Sequence, residues 1–211
     1  MKLICTLGLW LMSALFVFAG VMPADTQETV SPLTVGSDAP TVVVKTAEGE
    51  SVDLGELVRA KPTILIFYRG GWCPYCNTHL AELQTIEPEL MALGYQIVAV
   101  SADRPEAMPP TTEKNHLNYQ LLSDRAMNAS AAYGIAFTVP DEIRVKYAKW
   151  NIDLAPVPAD ESLRWLPVPS VFVIGSDSKV YFVHSNPDYK VRMDTATLLK
   201  TAQAALDSAA R

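Results

Sequence analysis

The fold is decided by an apolar stretch that runs directly into a pair of cysteines. Its residues are Pro62-Thr63-Ile64-Leu65-Ile66-Phe67-Tyr68-Arg69-Gly70-Gly71-Trp72-Cys73-Pro74-Tyr75-Cys76. The first seven form a short apolar run, which is typical of a strand covered on both faces. Two glycines then permit a sharp turn, and Leu80, Leu83 and Leu90 follow at helical spacing. The sequence therefore predicts a buried strand, a turn, the cysteine pair and a helix, in that order.

The elements around this stretch predict an α/β fold. A second apolar run at 95–101 follows the helix, and two strands joined by a helix pair in parallel. Other predicted elements are strands at 41–45 and 120–122, helices at 53–59, 105–116, 126–133 and 194–209, and a hairpin at 170–183. Together they predict a central mixed sheet flanked by helices.

One segment, residues 140–168, does not follow this alternation. It contains four prolines and two tryptophans, namely Pro140, Pro156, Pro158, Pro167, Trp150 and Trp165. We interpret it as an insertion before the strand at 170–174, helical over about 141–150, otherwise irregular, and packed by its tryptophans.

The amino terminus has the pattern of a signal peptide. Lys2 is the only charge in the first 24 residues, and an apolar run follows it. This pattern predicts a signal peptide over residues 1–19, with Ala24 as a later candidate end. An uncleaved membrane anchor is the alternative, because the uncharged stretch is long enough to span a bilayer. The expected location is exported, and periplasmic if the source is a Gram-negative bacterium.

Removal of that segment changes what the cysteine count implies. The 211-residue chain has three cysteines and a formal net charge of −6, which excludes a disulfide scaffold and a basic nucleic-acid footprint. Cleavage would remove Cys5 and leave Cys73 and Cys76 in an oxidising compartment. A disulfide between Cys73 and Cys76 would close a loop with only two residues between the cysteines, which adds little stability. A role in chemistry therefore explains the pair better.

The same pattern predicts the domain organisation, with a linker at 20–40 and one domain at 41–211.

The predicted helix start gives the two cysteines different roles. Unpaired N–H groups and the positive end of the helix dipole face Cys73 and stabilise a thiolate. The thiolate is the reactive form, and such cysteines have pKa values of roughly 3.5–7.5. Cys76 lies one turn further along, where it can attack a modified Cys73 and close a local disulfide. Pro74 suits the first helical position, where no N–H is needed.

Four neighbours are candidate supporting residues. Gly71 lets a substrate approach the backbone. Arg69 either adds positive charge beside Cys73 or is a solvated surface arginine, and Trp72 either shields the thiolate or packs. Pro169 directly precedes a strand, where a simple turn proline is one interpretation. The order strand, turn, CxxC and helix resembles the thioredoxin-like redox pattern. In that fold a cis-proline at this place faces the active-site cysteine, and we predict that Pro169 is that residue.

A metal site is the competing interpretation of a lone CxxC. Within the sequence there is no second cysteine pair, and His79 is the only nearby histidine. A helix-surface or hydrogen-bonded structural role explains His79 better than ligation. The sequence therefore predicts no metal ion and no cofactor.

These motifs resemble a known family. The stretch 68–76 with Leu80 and Leu83, the stretch 166–169 with its following strand, and the stretch 186–192 resemble a peroxiredoxin-like branch of the alkyl hydroperoxide reductase / thiol-specific antioxidant (AhpC/TSA) family, in the thioredoxin-like superfamily. The resemblance covers about residues 35–205. It implies a thioredoxin-like fold and reduction of hydroperoxides through a Cys73–Cys76 disulfide, with an external dithiol of thioredoxin type as reductant.

The chain also departs from that family's pattern. The family usually carries Pro-x-x-x-Thr-x-x-Cys, whereas Gly70 stands three positions before Cys73, and the usual site arginine has no match. The CxxC with Pro169 is similar to exported thioredoxin-like disulfide reductases. A thiol peroxidase, a protein-disulfide reductase and a non-enzymatic partner-binding domain with a degenerate site therefore all remain open. Residues 188–192 are interpreted as a polar turn entering the last helix.

Overall fold

The computed structural model describes residues 23–209. The predicted signal peptide at 1–19 lies outside the described residues. Between residues 23 and 209, no helix is both long and apolar enough to cross a membrane.

Between residues 23 and 209, ten strands form two sheets. They are β1 (Val43–Lys45), β2 (Ser51–Asp53), β3 (Thr63–Tyr68), β4 (Gln96–Ser101), β5 (Gln120–Ser123), β6 (Ala136–Thr138), β7 (Ala155–Val157), β8 (Asp160–Pro167), β9 (Ser170–Ile174) and β10 (Val180–Ser185). Seven of them make the central sheet in the order β10-β9-β3-β4-β5-β1-β2, and the other three make a small sheet in the order β6-β8-β7. In the central sheet β3, β4 and β5 run parallel, while β9 is antiparallel to β3. The predicted mixed sheet is confirmed.

In the described part of the chain, seven α-helices connect and cover the strands. They are α1 (Leu54–Ala60), α2 (Pro74–Thr85), α3 (Glu87–Ala92), α4 (Met108–Asn115), α5 (Asn128–Ala132), α6 (Asp141–Lys149) and α7 (Thr195–Ala209). The predicted long helix after the cysteines is divided in two at Ile86, with Pro88 in the first turn of α3. Proline lacks the N–H that a continuous helix needs at that point, so the helix is interrupted there.

The central strand β3 positions the cysteines. All six of its residues are buried, because β4 and β9 pair with its two edges and helices cover its faces. The strand ends at Tyr68, and α2 begins six residues later at Pro74. The glycine turn between them therefore lies at the carboxyl end of the most deeply buried strand, on a rigid support.

We expect Phe172→Ala to lower the free energy of unfolding by about 3–5 kcal/mol, because large-to-small changes in a packed core leave a cavity. Phe172 is fully buried, with its ring 5.9 Å from that of Phe67 and 5.1 Å from that of Tyr133. Urea unfolding measures the change, and Val43→Ala, at a side chain that is 52% exposed, is the control with little expected effect. Equal midpoints for the two variants would contradict this packing.

The insertion differs from its prediction in two respects. Helix α6 forms as predicted, but the rest is not irregular, because β7 and β8 pair antiparallel with one another and β8 also pairs with β6. Trp165 is buried in this small sheet, whereas Trp150 is 60% exposed and does not pack it. The sequence did not predict these strand pairs for two reasons. Apolar and polar residues do not alternate clearly along β8, and one of its partners, β6, lies outside the insertion.

The segment predicted as a linker lies against the domain over its described part. Ala24 exchanges backbone hydrogen bonds with the β6 strand, where its N–H donates to Ala136 and its carbonyl accepts from Thr138, both at 2.9 Å. Further along, the Gly36 and Ala39 N–H groups donate to carbonyls beside β10. These contacts tie residues 24–39 to both sheets.

The prediction of a cis bond at Pro169 is wrong. Every peptide bond within residues 23–209 is trans. Pro169 is buried in the two-residue link between β8 and β9, where Val168 donates to the Ile135 carbonyl and Ser170 pairs with Phe67. The trans form is the default for proline, and a proline that precedes a strand is compatible with it. The sequence position alone therefore did not specify the isomer.

Candidate active site

The two cysteines touch one another in the first turn of α2. Cys73 is the N-cap residue, Pro74 occupies the first helical turn, and the Cys76 and Asn77 N–H groups donate to the Cys73 carbonyl at 3.1 Å. The Cys76 thiol donates to the Cys73 sulfur, with 2.6 Å between the two Sγ atoms. Both thiols are free and buried. A local disulfide therefore needs no rearrangement of the backbone.

The surroundings push the two thiol pKa values apart. The hydrogen bond from the Cys76 thiol, helped by the Cys76 backbone and by the charges of Arg69 and Arg192, lowers the pKa of Cys73 to about 6 against the opposing effect of burial. Burial, together with the neighbouring Cys73 sulfur, raises the pKa of Cys76 well above its ordinary value. At neutral pH Cys73 is therefore mostly thiolate and Cys76 is a thiol.

This difference predicts a pH profile for alkylation. Only the thiolate reacts with iodoacetamide, so the rate at Cys73 should rise with pH to a plateau with its midpoint near 6, below the ordinary value of about 8.5. Peptide mass spectrometry assigns the modified residue. In Cys76→Ala the midpoint should rise, because the largest stabilising contact is removed. A wild-type midpoint above 8 would show that Cys73 is an ordinary thiol.

Arg69 is enclosed by three aromatic rings. Its guanidinium lies 4.3 Å from the ring centre of Tyr189, 5.0 Å from that of Trp72 and 5.5 Å from that of Tyr147, and it donates to the Tyr147 hydroxyl. The residue is only 6% exposed, so the solvated surface arginine is excluded. Each ring face attracts the cation, and the cage holds the charge beside Cys73. Through Tyr147, helix α6 of the insertion covers this side of the site.

Arg192 reaches the same cysteines from the other end of the chain. Its Nη2 donates to Cys76 Sγ at 3.4 Å. Residues 187–190 do form a turn ahead of α7, as predicted. The prediction gave this segment no part in the site, whereas Tyr189 contacts Arg69 and Arg192 contacts Cys76. No local pattern marks this contact, because it joins residues 116 positions apart.

A buried histidine, His79, and a half-buried one, His184, lie near Arg192. The Nε2 atoms of His79 and His184 and the Nε of Arg192 have no hydrogen-bond partner among the residues described. Burial, and then the charge of Arg192, lowers the pKa of His79 to about 4, and the same two causes lower that of His184. Both rings are therefore neutral at pH 7. His79 is buried in the site, not at the helix surface.

The turn before the cysteines is held by hydrogen bonds on both sides. Asp103 Oδ2 accepts from the Gly71 N–H at 2.7 Å, and the Asn77 side chain donates to the Gly71 carbonyl at 2.8 Å. Gly70 has φ +154°, and a Cβ there would collide with the Trp72 side chain. At Gly71 a Cβ would collide with the Thr111 hydroxyl. Both glycines are thus required by close packing, and Gly71 lies in the turn as predicted.

Pro169 forms no hydrogen bond with either cysteine. The hydrogen bonds made by the two cysteine sulfur atoms are those between Cys73 and Cys76 and from Arg192. No group of three or more His, Cys, Asp or Glu side chains between residues 23 and 209 is arranged to hold a metal ion.

Comparison with known proteins identifies the family. The family model described as AhpC/TSA matches residues 35–183. The chain belongs to the AhpC/TSA family. A putative peroxiredoxin bcp of Haemophilus influenzae is 30% identical over 106 residues, which cover 50% of this chain and 68% of the relative. The thiol-disulfide oxidoreductase ResA of Halalkalibacterium halodurans is 32% identical over 101 residues, which cover 47% of this chain and 56% of that protein.

A solved structure extends the likeness in fold. The crystal structure of the peroxidoxin BcpB from Mycobacterium tuberculosis superposes with a TM-score of 0.63 at 21% identity, covering 82% of this chain and 97% of that one. The predicted thioredoxin-like fold and the resemblance to the AhpC/TSA family are both confirmed. The expectation of a thiol oxidoreductase is confirmed at the level of the family, since relatives in Haemophilus influenzae and Escherichia coli are named as peroxiredoxins.

Proposed function

We propose that the chain is a thiol peroxidase in which Cys73 attacks a hydroperoxide and Cys76 resolves the product. The observation that carries the proposal is the contact between a thiolate with a pKa of about 6, at the start of a twelve-residue helix, and a second thiol 2.6 Å away. Membership of the AhpC/TSA family and the named peroxiredoxin relatives support it.

The first step oxidises Cys73. Its thiolate attacks one peroxide oxygen, so that an S–O bond forms and the O–O bond breaks. The departing oxygen carries the negative charge and takes a proton from water to leave as an alcohol, or as water when the substrate is hydrogen peroxide. Arg69 and Arg192 lie where a guanidinium stabilises that developing charge without rearranging.

The second step closes the disulfide. Cys76 Sγ attacks the Cys73 sulfur, an S–S bond forms, and the sulfenic oxygen leaves as water with the Cys76 proton. An external dithiol of thioredoxin type would then return both thiols through a mixed disulfide. The high pKa of Cys76 keeps it protonated, and this proton is the one the leaving oxygen requires.

Mass spectrometry after one equivalent of hydrogen peroxide tests these steps. We expect a Cys73–Cys76 disulfide, formed at least 1,000-fold faster than free cysteine consumes peroxide, and no reaction above background in Cys73→Ser. The exposed hydroxyl of Ser51 offers a control, Ser51→Ala, which should react as the wild type does. A rate no faster than that of free cysteine would overturn the proposal.

We also propose an exported location for the enzyme. The single lysine followed by an apolar run supports it, and the location is periplasmic if the source is a Gram-negative bacterium. Cell fractionation with amino-terminal sequencing tests this, and a protein found in the cytoplasm with its first residues intact would contradict it.

A further inference from the structure

The cysteines have two arginine neighbours that form no ion pair with a carboxylate of the described residues. None of the ion pairs formed between residues 23 and 209 includes Arg69 or Arg192. The nearby imidazoles of His79 and His184 carry no negative charge in any ordinary state. In the reduced protein, the charges of both arginines lower the pKa of the Cys73 thiol, so both guanidinium groups stabilise its thiolate. Arg192 also donates to Cys76 Sγ at 3.4 Å.

Oxidation removes this anion. A disulfide is uncharged, so closing it leaves the two guanidinium groups facing neutral sulfur atoms. Arg69 is 6% exposed, and water compensates little for the lost attraction at so buried a position. The start of α2 likewise loses the charge that it stabilises. All these effects favour the reduced state over the disulfide.

We propose that Cys73 and Cys76 form an oxidising pair, whose disulfide is transferred to reduced cysteine pairs in unfolded polypeptides, with the hydroperoxide as the terminal oxidant. The first half of this cycle rests on the proposed peroxidase function. Arg69 and Arg192 set the direction of disulfide transfer, because they stabilise the thiolate that is released when the pair is reduced. The chain then makes disulfides in its partners and does not break them.

The transfer balances in two exchanges. A client thiolate attacks Cys73 Sγ, so that a mixed disulfide forms and Cys76 leaves and takes up a proton. A second client thiolate attacks the client sulfur of that mixed disulfide and forms the client disulfide, and Cys73 leaves as a thiolate. Each cycle consumes one hydroperoxide and two client thiols, and releases one alcohol, one water and one client disulfide.

The rim of the site favours an unfolded polypeptide as the client. Tyr75, between the cysteines, is 46% exposed, and Val191, next to Arg192, is 44% exposed. The Tyr75 ring meets that of Tyr189 edge-on at 5.7 Å, so the exposed apolar surface continues to the Arg69 cage. Such surface binds the apolar side chains that an unfolded chain exposes.

Equilibration with glutathione buffers tests the direction without any peroxide. We expect the disulfide to be at least 100-fold more easily reduced than that of thioredoxin, a difference of about 59 mV at 29.6 mV per tenfold. Arg69→Met and Arg192→Met should each stabilise the disulfide at least threefold. The corresponding lysine variants should stay closer to the wild type, and Arg59→Met, at an exposed remote position, should match it. A disulfide as stable as that of thioredoxin, or methionine variants equal to the wild type, would overturn the proposal.

Oxidation of reduced, unfolded ribonuclease A tests the transfer. We expect preformed disulfide protein to oxidise it stoichiometrically, and catalytic amounts with hydrogen peroxide to do so repeatedly, unlike Cys73→Ser. If the preformed disulfide leaves the client thiols unchanged, the proposed transfer is wrong. If it oxidises the client but peroxide does not regenerate it, the peroxidase function fails and the oxidising pair stands.

Discussion

Cys76→Ser is expected to react once with hydrogen peroxide and then stop. Cys73 keeps its place at the start of α2 and its arginine neighbours, so a sulfenic acid should form there. Without the sulfur 2.6 Å away, that acid cannot close the local disulfide, and turnover with a thioredoxin-type reductant should fall at least 100-fold. Trapping with dimedone and peptide mass spectrometry measures the sulfenic acid, and peroxide consumption measures the turnover.

The matched variant reverses this result. Cys73→Ser should form no sulfenic acid and should consume no peroxide above background, because Cys76 is a protonated thiol with a raised pKa. If Cys73→Ser instead accumulates a sulfenic acid on Cys76, and Cys76→Ser is inert, then the two roles are exchanged and our assignment of the nucleophile is wrong.

Arg192→Met is expected to slow the first peroxide step by about 100-fold to 1,000-fold, the usual effect of removing one donor that stabilises a developing oxyanion. Arg192 is the guanidinium that contacts the Cys76 sulfur, and its charge also lowers the pKa of Cys73. The alkylation midpoint of Cys73 should therefore move upward in the same variant. Stopped-flow kinetics at pH 7 and at pH 9 separate the lost stabilisation of the oxyanion from the smaller thiolate fraction of Cys73.

Lys190→Met is the control for Arg192. It removes a positive charge two residues away, from an exposed side chain that does not contact either cysteine. Its rate and midpoint should match those of the wild type. If Lys190→Met and Arg192→Met lose the same activity, the loss comes from removing any nearby positive charge, and Arg192 has no specific role.

Much of the fold could be read from local patterns. The apolar run at 62–68 and the helical spacing after Cys76 are short-range signals. They yield β3 with nearly the predicted bounds and place the start of α2, although the predicted helix is divided at Ile86. The cysteine contact follows from the same signals, because residues three apart in a helix lie on one face.

The parts that the sequence did not reveal depend on distant contacts. Arg192 lies in a polar segment with no periodic pattern, and only the folded chain brings it to Cys76. Strand β8 pairs with β6, nearly thirty residues earlier along the chain, and its exposed first half hides the strand pattern. The prediction of a cis peptide bond at Pro169 was wrong for another reason, since a residue type does not specify the isomer of its peptide bond.

The central claim is that this cysteine pair reacts as a peroxidase and not as a disulfide reductase. The most direct measurement compares two second-order rate constants of the reduced full-length protein, one for hydrogen peroxide and one for a small model disulfide, at pH 7. Our account predicts that the peroxide constant is the larger by at least tenfold and is lost in Cys73→Ser. A larger constant for the disulfide would contradict the account and favour a reductase.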